Sequence, residues 1–359
     1  MVTSGKQPIP HAGGKLRIIP GPNHSYQLEF SHTSSTHGMA FYQVAVSHSG
    51  TPLAFIPASG LGSPGPPRPQ PSILAFIISD AQEMWGRICP QCRSYFRTNH
   101  IAGMTVCPYC TFAYDGLSFM PETHLRYLKK FVQAVQQVVA ENREIEIDLD
   151  EATDHSEWTY NERQLQHRFD CAICHVSTDI LGEYGSCPSC GKRNSGGIFH
   201  RKINEIEAEL KKAEAAQRAD LLNRVVSVFE AMANDLKRVL ASIPCHPNRR
   251  EQVARLNFQN LAAVVDQLQQ WYAFDLRKGL LPDELAFVDL MFRRRHLFTH
   301  NAGRVDEKYL REAGDTSFEL NELVVLTGAD MDRLLPALRK LGSNLISDVE
   351  AIEAVLFER

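Results

Sequence analysis

Over residues 1–72, short β-like runs recur at Leu16–Ile19, Tyr26–Phe30, Ala40–Val46 and Leu53–Ile56, with Gly, Pro, Ser and His between them. Such runs bounded by turn formers predict strands. Residues 1–72 therefore read as a small β-rich or partly ordered module. It ends on Ser63–Ser72, where Pro64, Pro66, Pro67, Pro69 and Pro71 make an extended linker. The unbroken apolar run Ile73–Ile78 predicts a buried strand, since crossing a bilayer takes about 20 residues. The period then changes. Leu125, Leu128, Phe131, Val132, Val135, Val138 and Val139 recur at spacings of three and four, which predicts a helix from Pro121 to Asn142 with one buried face. The acidic stretch Glu144–Asp154 reads as a solvated connector. Beyond Ile198 the helical period dominates, and helices are expected near 199–242, 249–272, 283–299 and 329–356. The first is long enough that Ala-rich Glu205–Ala219 reads as a polar extension or a hinge. Phe318–Leu326 reads as a short strand or hairpin. Thr327-Gly-Ala-Asp330 resembles a capping box, and Pro336 is expected to kink or restart the last helix.

Composition narrows the class. A chain of 359 residues with 43% hydrophobic and 22% charged residues can bury sizeable cores. A net charge of −4 leaves nucleic-acid contact to local patches, not to the field of the whole protein. Met1–Lys6 is not a basic segment leading into an apolar one, so no signal peptide is expected. No membrane association is expected, and the cytoplasm is the expected compartment. Disulfides are rare there, which turns paired cysteines toward metal.

Eight of the nine cysteines fall into four Cys-x-x-Cys pairs. Cys89-Pro-Gln-Cys92 and Cys107-Pro-Tyr-Cys110 flank fourteen residues; Cys171-Ala-Ile-Cys174 and Cys187-Pro-Ser-Cys190 flank twelve. A tight knuckle supplies two sulfurs, and two knuckles supply the four that a closed tetrahedral site needs. Cys89, Cys92, Cys107 and Cys110 are thus expected to hold one structural zinc ion, and Cys171, Cys174, Cys187 and Cys190 a second. First-with-third pairing of the knuckles costs more loop closure. Four thiolates leave no open coordination position, so no catalytic metal is expected. Gly191, after the last cysteine, permits a positive φ. His100 and His175 lie near the knuckles as spare ligands or exposed side chains, and Cys245 stands alone. Arg87, Arg93, Tyr95, Phe96 and Arg97 around the first site suit either stacking on nucleic acid or an apolar plug. Lys192 and Arg193 give the second site only a weak basic tip.

The fold class that follows is α+β multidomain. A β-rich N-terminal module (1–72) leads to a first zinc ribbon (73–120), a helix and acidic connector (121–165), a second zinc ribbon (166–198) and a C-terminal all-α helical bundle (199–359).

The sharpest feature of the helical part is Arg293-Arg294-Arg295-His296-Leu297-Phe298-Thr299-His300-Asn301-Ala302-Gly303-Arg304. It ends an amphipathic helix in which Leu285, Val288, Phe292 and Leu281 are expected to face a core. Arg295 and His300, with four residues between them, resemble the Arg-x4–6-His motif of the HEPN superfamily, helical proteins many of which cleave RNA. The resemblance covers 199–359. It implies a metal-independent endoribonuclease with Arg295 and His300 catalytic, His296 and Asn301 as further site residues, and Arg293, Arg294 and Arg304 contacting RNA. It also implies a homodimer through the C-terminal domain, products with 2′,3′-cyclic phosphate and 5′-hydroxyl ends, and a toxin or anti-phage setting with an antitoxin or defence-system partner. The chemistry suits the residues: imidazole moves protons near neutrality, and guanidinium stays charged and forks onto phosphate. Geometry adds a condition. Five positions on a regular helix are about 140° apart, at about 100° per residue. Either the helix ends between Arg295 and His300, with Gly303 near the stop, or a second copy completes the site. The other reading is a non-catalytic scaffold that binds nucleic acid or protein through its zinc ribbons.

Overall fold

The computed structural model describes residues 8–9, 14–31, 40–56, 69–148 and 162–356. Most of the proline-rich stretch, Glu144–Asp154 beyond Asp148, and His32 and His37 lie outside them. The chain divides into two compact units, Met1–Arg193 and Asn194–Arg359.

The first unit begins with β1 (Pro8–Ile9), β2 (Lys15–Pro20), β3 (Tyr26–Ser31), β4 (Phe41–Val46), β5 (Pro52–Ile56) and β6 (Ile73–Ile78). The expected N-terminal strands all form. In β2, Leu16 and Ile18 are buried, while Lys15 and Arg17 make cross-strand ion pairs with Glu146, Glu29 and Glu144 at 2.6–2.9 Å. The helix α1 (Glu122–Glu141) packs on β2, β3 and β6 through His124, Tyr127, Leu128, Phe131, Val132, Val135 and Val138. Leu125, expected in that face, is exposed. One core joins Leu16 and Ile18 to Val44, Val46, Ala75 and Ile77 and to this face of α1.

Two of the expected boundaries move. β6, assigned by sequence to the first ribbon, pairs with β4 in the sheet β5-β4-β6. The start of the acidic connector is a strand, β11 (Ile145–Asp148), which pairs with β2 and buries Ile147. A single alternation inside an acidic stretch is enough once a partner strand is waiting.

The cysteine regions contribute β7 (Trp85–Ile88), β8 (Tyr95–Thr98), β9 (Met104–Val106) and β10 (Ala113–Asp115), then β12 (Glu162–Arg163), β13 (His167–Asp170) and β14 (Ser177–Ile180). They are not two separate modules. Hairpins β7–β8 and β13–β14 join edge to edge into one sheet of order β13-β14-β8-β7. At the seam Thr98 faces Thr178 and Arg97 faces Asp179. Arg97 lies eight residues after Cys89 (97 − 89), and Asp179 eight after Cys171 (179 − 171). The second knuckles meet in the same way: Val106 N–H donates to the Pro188 carbonyl at 2.8 Å, and Ser186 N–H to the Pro108 carbonyl at 3.0 Å. The two ribbons are therefore related by a local two-fold axis.

The second unit consists of α2 (Ser195–Leu210), α3 (Arg218–Ser242), α4 (Pro247–Ala254), α5 (Leu261–Tyr272), α6 (Pro282–Asn301), α7 (Glu307–Ala313) and α8 (Gly328–Leu356). The expected long first helix breaks into α2 and α3 at the Ala-rich stretch, as a hinge there requires. The helix expected at 249–272 is two, α4 and α5. Phe318–Leu326 is neither strand nor hairpin: an isolated bridge, Arg304 to Leu323, and backbone hydrogen bonds to Gly303 and Val305 hold it, with Val324 and Leu326 buried and Leu320, Leu323 and Val325 exposed. The capping box is real, since Asp330 accepts from Thr327 N–H at 2.8 Å and Asp330 N–H donates to Thr327 Oγ1 at 3.1 Å. α8 runs through Pro336 without restarting. Phe199, Phe229, Val288, Phe292, Leu334, Leu338 and Leu341 belong to one large core. Leu281, expected in that core, is exposed just ahead of α6.

Candidate functional site

Each Cys-x-x-Cys closes as the same knuckle. The residue after the second cysteine is left-handed, with φ of 60° at Arg93, 59° at Thr111, 59° at His175 and 71° at Gly191. Its N–H donates to the carbonyl of the first cysteine, at 2.9 Å to Cys89, 3.0 Å to Cys107, 2.9 Å to Cys171 and 2.9 Å to Cys187. The spacing reveals the knuckles, but glycine marks this conformation at only one of the four. Arg93, Thr111 and His175 accept a conformation that costs an L-residue roughly 1–2 kcal/mol.

The turns gather the thiols into two sets. In one, Cys89 Sγ lies 3.7 Å from Cys110 Sγ and Cys92 Sγ 3.6 Å from Cys107 Sγ. In the other, Cys171 lies 3.5 Å from Cys190 and Cys174 3.5 Å from Cys187. Within each set all four sulfurs lie within 4.8 Å of one another. Tetrahedral metal–thiolate bonds of about 2.3 Å separate sulfurs by about 3.8 Å, whereas a disulfide brings them to about 2.05 Å. The spacing fits four thiolates around one ion, so both sets are positioned to hold a metal ion, and the knuckles pair within each ribbon. Neither set includes a histidine. His100 lies 3.0 Å from the Met104 carbonyl, and His175 closes a knuckle. Cys245 belongs to neither set.

The basic and aromatic residues around the first set turn inward. Arg87, Phe96 and Arg97 are buried. Arg97 donates to Asp80 at 2.5 Å, to Gln82 at 3.0 Å and to Asp179, while Tyr95 donates to Glu162 at 2.5 Å. Arg193 is buried against Ser186 Oγ at 3.2 Å. Most of the cluster thus builds the interior, and a stacking surface is not what it forms.

In the second unit, α6 continues unbroken to Asn301 and stops at Ala302 and Gly303, with φ of 50° and 80°. The helix therefore does not end between Arg295 and His300, and the two diverge as a regular helix requires. His300 instead shares a face with His296, the ring centroids 4.5 Å apart. Arg295, His296 and Arg293 line a cavity of about 530 Å³ whose other walls include Glu230 of α3, Asn257, Gln259 and Asn260 of the α4–α5 connection, and Lys308 of α7. His300, Asn301, Arg294 and Arg304 are not on its wall.

Arg295 Nη2 lies 3.6 Å from Glu230 Oε2, with both side chains largely buried. Among the described residues, Arg295 Nε and Glu230 Oε1 are buried without a hydrogen-bond partner. Burial lifts the Glu230 pKa above the ordinary glutamate value, against the charge of Arg295 and the Gln259 amide. Burial lowers that of His296, joined by the charges of His300, Lys308 and Arg295 and opposed by Asp306. Arg293 pairs with Asp289 at 2.9 Å and reaches to within 3.7 Å of Glu312.

Three residues expected at the RNA surface or the catalytic centre have other work. Arg294 is buried, donating to Asp315 at 2.9 and 3.2 Å with its guanidinium 5.2 Å from the centre of the Phe318 ring, and so offers nothing to a phosphate. Asn301 donates to the Arg304 carbonyl at 2.7 Å and braces the turn after α6. Arg304, exposed, donates to the Asn321 carbonyl at 3.3 Å. Glu230 escaped the sequence reading because it sits in a helix dominated by apolar buried positions. Its only signal is an acid four residues after buried Val226, beside Phe229.

No helix of the described residues is long and apolar enough to cross a membrane. No family model, curated protein or solved structure matches the chain.

Proposed function

We propose that the chain is a metal-independent endoribonuclease whose cutting site lies in the C-terminal unit, read as an all-α helical bundle, while two structural zinc ions hold the ribbons of the N-terminal unit. The observation that carries the reading is the convergence of Arg295, His296 and Lys308 on one open cavity. A guanidinium and an ammonium there hold an RNA phosphate, and an imidazole moves a proton on it. The resemblance of Arg295–His300 to the HEPN motif supports the part given to Arg295; the motif's own imidazole, His300, packs on His296 outside the cavity wall. A dimer through this unit, a cytoplasmic setting and a toxin or anti-phage role with an antitoxin partner belong to the same reading. Zinc is the ion proposed because closed, tetrahedral four-thiolate sites are its usual structural habit. With all four positions taken by sulfur, it cross-links the ribbons and takes no part in the cleavage.

The test is cleavage of a mixed RNA pool in magnesium-free buffer. Wild type should cut, leaving 2′,3′-cyclic phosphate ends, and Arg295→Ala should lose about 100-fold or more, as for a lost charge-stabilising donor. His296→Ala should lose more than His300→Ala. An inert wild type, or cutting indifferent to Arg295, sinks the reading and leaves the ribbons as binding modules on a scaffold.

A further inference from the structure

The Arg295–Glu230 contact is an incomplete ion pair. At 3.6 Å it is too long for a hydrogen bond, and Arg295 Nε and Glu230 Oε1 are buried with no partner among the described residues. Both residues, a cation and an anion, line the same open cavity. A lone anion satisfies the guanidinium and is repelled by the carboxylate; a lone cation does the reverse. A ribose 2′-hydroxyl next to its 3′-phosphate suits both charges, because the hydroxyl donates to the carboxylate and the phosphate accepts from the guanidinium. The cavity volume of about 530 Å³ has room for one nucleotide. Asn257, Gln259 and Asn260 line it with amide donors and acceptors of the kind that read base edges.

We propose that Glu230 is the general base of this cleft, with His296 as general acid and Arg295 as the counter-charge of the transition state, so that one chain carries the whole proton-transfer set. The proposal rests on the ribonuclease reading. Glu230 takes the proton of the 2′-hydroxyl as the 2′-oxygen bonds to phosphorus. Arg295 neutralises the pentacoordinate phosphorus. The bond from phosphorus to the 5′-oxygen breaks, and that oxygen leaves with a proton from the His296 imidazolium. The products are a 2′,3′-cyclic phosphate and a 5′-hydroxyl, with Glu230 protonated and His296 neutral; water returns both to their starting states. The groups around Glu230 are Arg295, Arg293 and His296 from α6, Asp306, Lys308 and Glu312 at α7, and the amides of the α4–α5 connection.

The experiment uses the full-length, metal-loaded chain. A site of cleavage is first mapped on the RNA pool, and an oligonucleotide spanning it is made with oxygen or with sulfur at the 5′-bridging position. A sulfur leaving group departs without an acid. With oxygen, the pH profile of kcat/KM should be a bell whose acidic limb lies above the ordinary glutamate range and whose alkaline limb lies below the ordinary histidine range. With sulfur, wild type should keep the acidic limb and lose the alkaline one, a readout that needs no variant to fold. Glu230→Gln should lose about 100-fold or more in rate, as for a lost general base, with unchanged melting and no rescue by sulfur. His296→Ala should lose a similar factor and regain it with sulfur. The proposal is overturned if cleaving wild type shows no acidic limb, if Glu230→Gln keeps the wild-type rate, or if sulfur rescues both variants alike. A wild type that cuts no RNA overturns the ribonuclease reading itself, and the proposal with it.

Discussion

Arg294 and Arg295 are consecutive residues with opposite surroundings. One step of about 100° around the helix turns Arg294 into the packing between α6 and α7 and leaves Arg295 on the cleft. Arg294 and Tyr309 hold the Asp315 carboxyl down at about 2, although burial alone raises it. A carboxylate with a depressed folded pKa adds stability above its unfolded value, near 4, and that stability is lost as pH falls toward 2. The shift from the ordinary 3.8 to about 2 is worth about 2 kcal/mol. Urea unfolding followed between pH 5 and pH 2 should show this loss, and Asp315→Asn should flatten it. Arg294→Ala should cost more, about 3–5 kcal/mol, because it strands a buried carboxylate. The cluster of arginines and histidines was legible at this scale, but the partition of its residues was not. Whether an arginine faces a cleft or an aspartate depends on where the helix stops, and α6 runs to Asn301.

At the level of elements, the two ribbons share a sheet, so their metal sites share stability. Cys89, Phe96 and Cys107 of one ribbon pack with Ile180 of the other. A Cys171→Ser, Cys174→Ser double variant should therefore weaken both sites. Elemental analysis should give about two zinc ions in wild type and fewer than one in the variant; a value of one would mean independent sites. The ligands were plain from spacing alone, because two knuckles twice over are a local pattern. The seam was not, because it joins Arg97 to Asp179 across α1 and the acidic connector. The same distance in sequence hid β11, whose partner β2 lies far upstream. The segment 318–326 shows the converse: it alternates as a strand would, burying Val324 and Leu326 and exposing Leu323 and Val325, but with a single bridge it extends no sheet.

For the molecule as a whole, the cores are separate. The core of sheets and α1 and the ribbon core lie within Met1–Arg193, whereas the large helical core and the cluster of Leu297, Val305, Tyr309 and Val324 lie within Asn194–Arg359. Residues 194–359 alone should give a helical circular dichroism spectrum and a cooperative thermal transition without metal. Stripping metal from the full chain should leave that transition in place and expose the first unit to protease. A non-cooperative melt of 194–359 would mean that the helical unit depends on the ribbons.

The seam between the ribbons also decides who can pair with whom. Because Arg97 and Asp179 occupy matching positions on a two-fold axis, two copies of the first ribbon would bury arginine against arginine, and two copies of the second aspartate against aspartate. Like charges in a buried site are strongly unfavourable. Homotypic association is thus penalised at the pair that lies on the axis. First-with-second pairing is the one this pair permits, whether the second ribbon belongs to the same chain or to another copy.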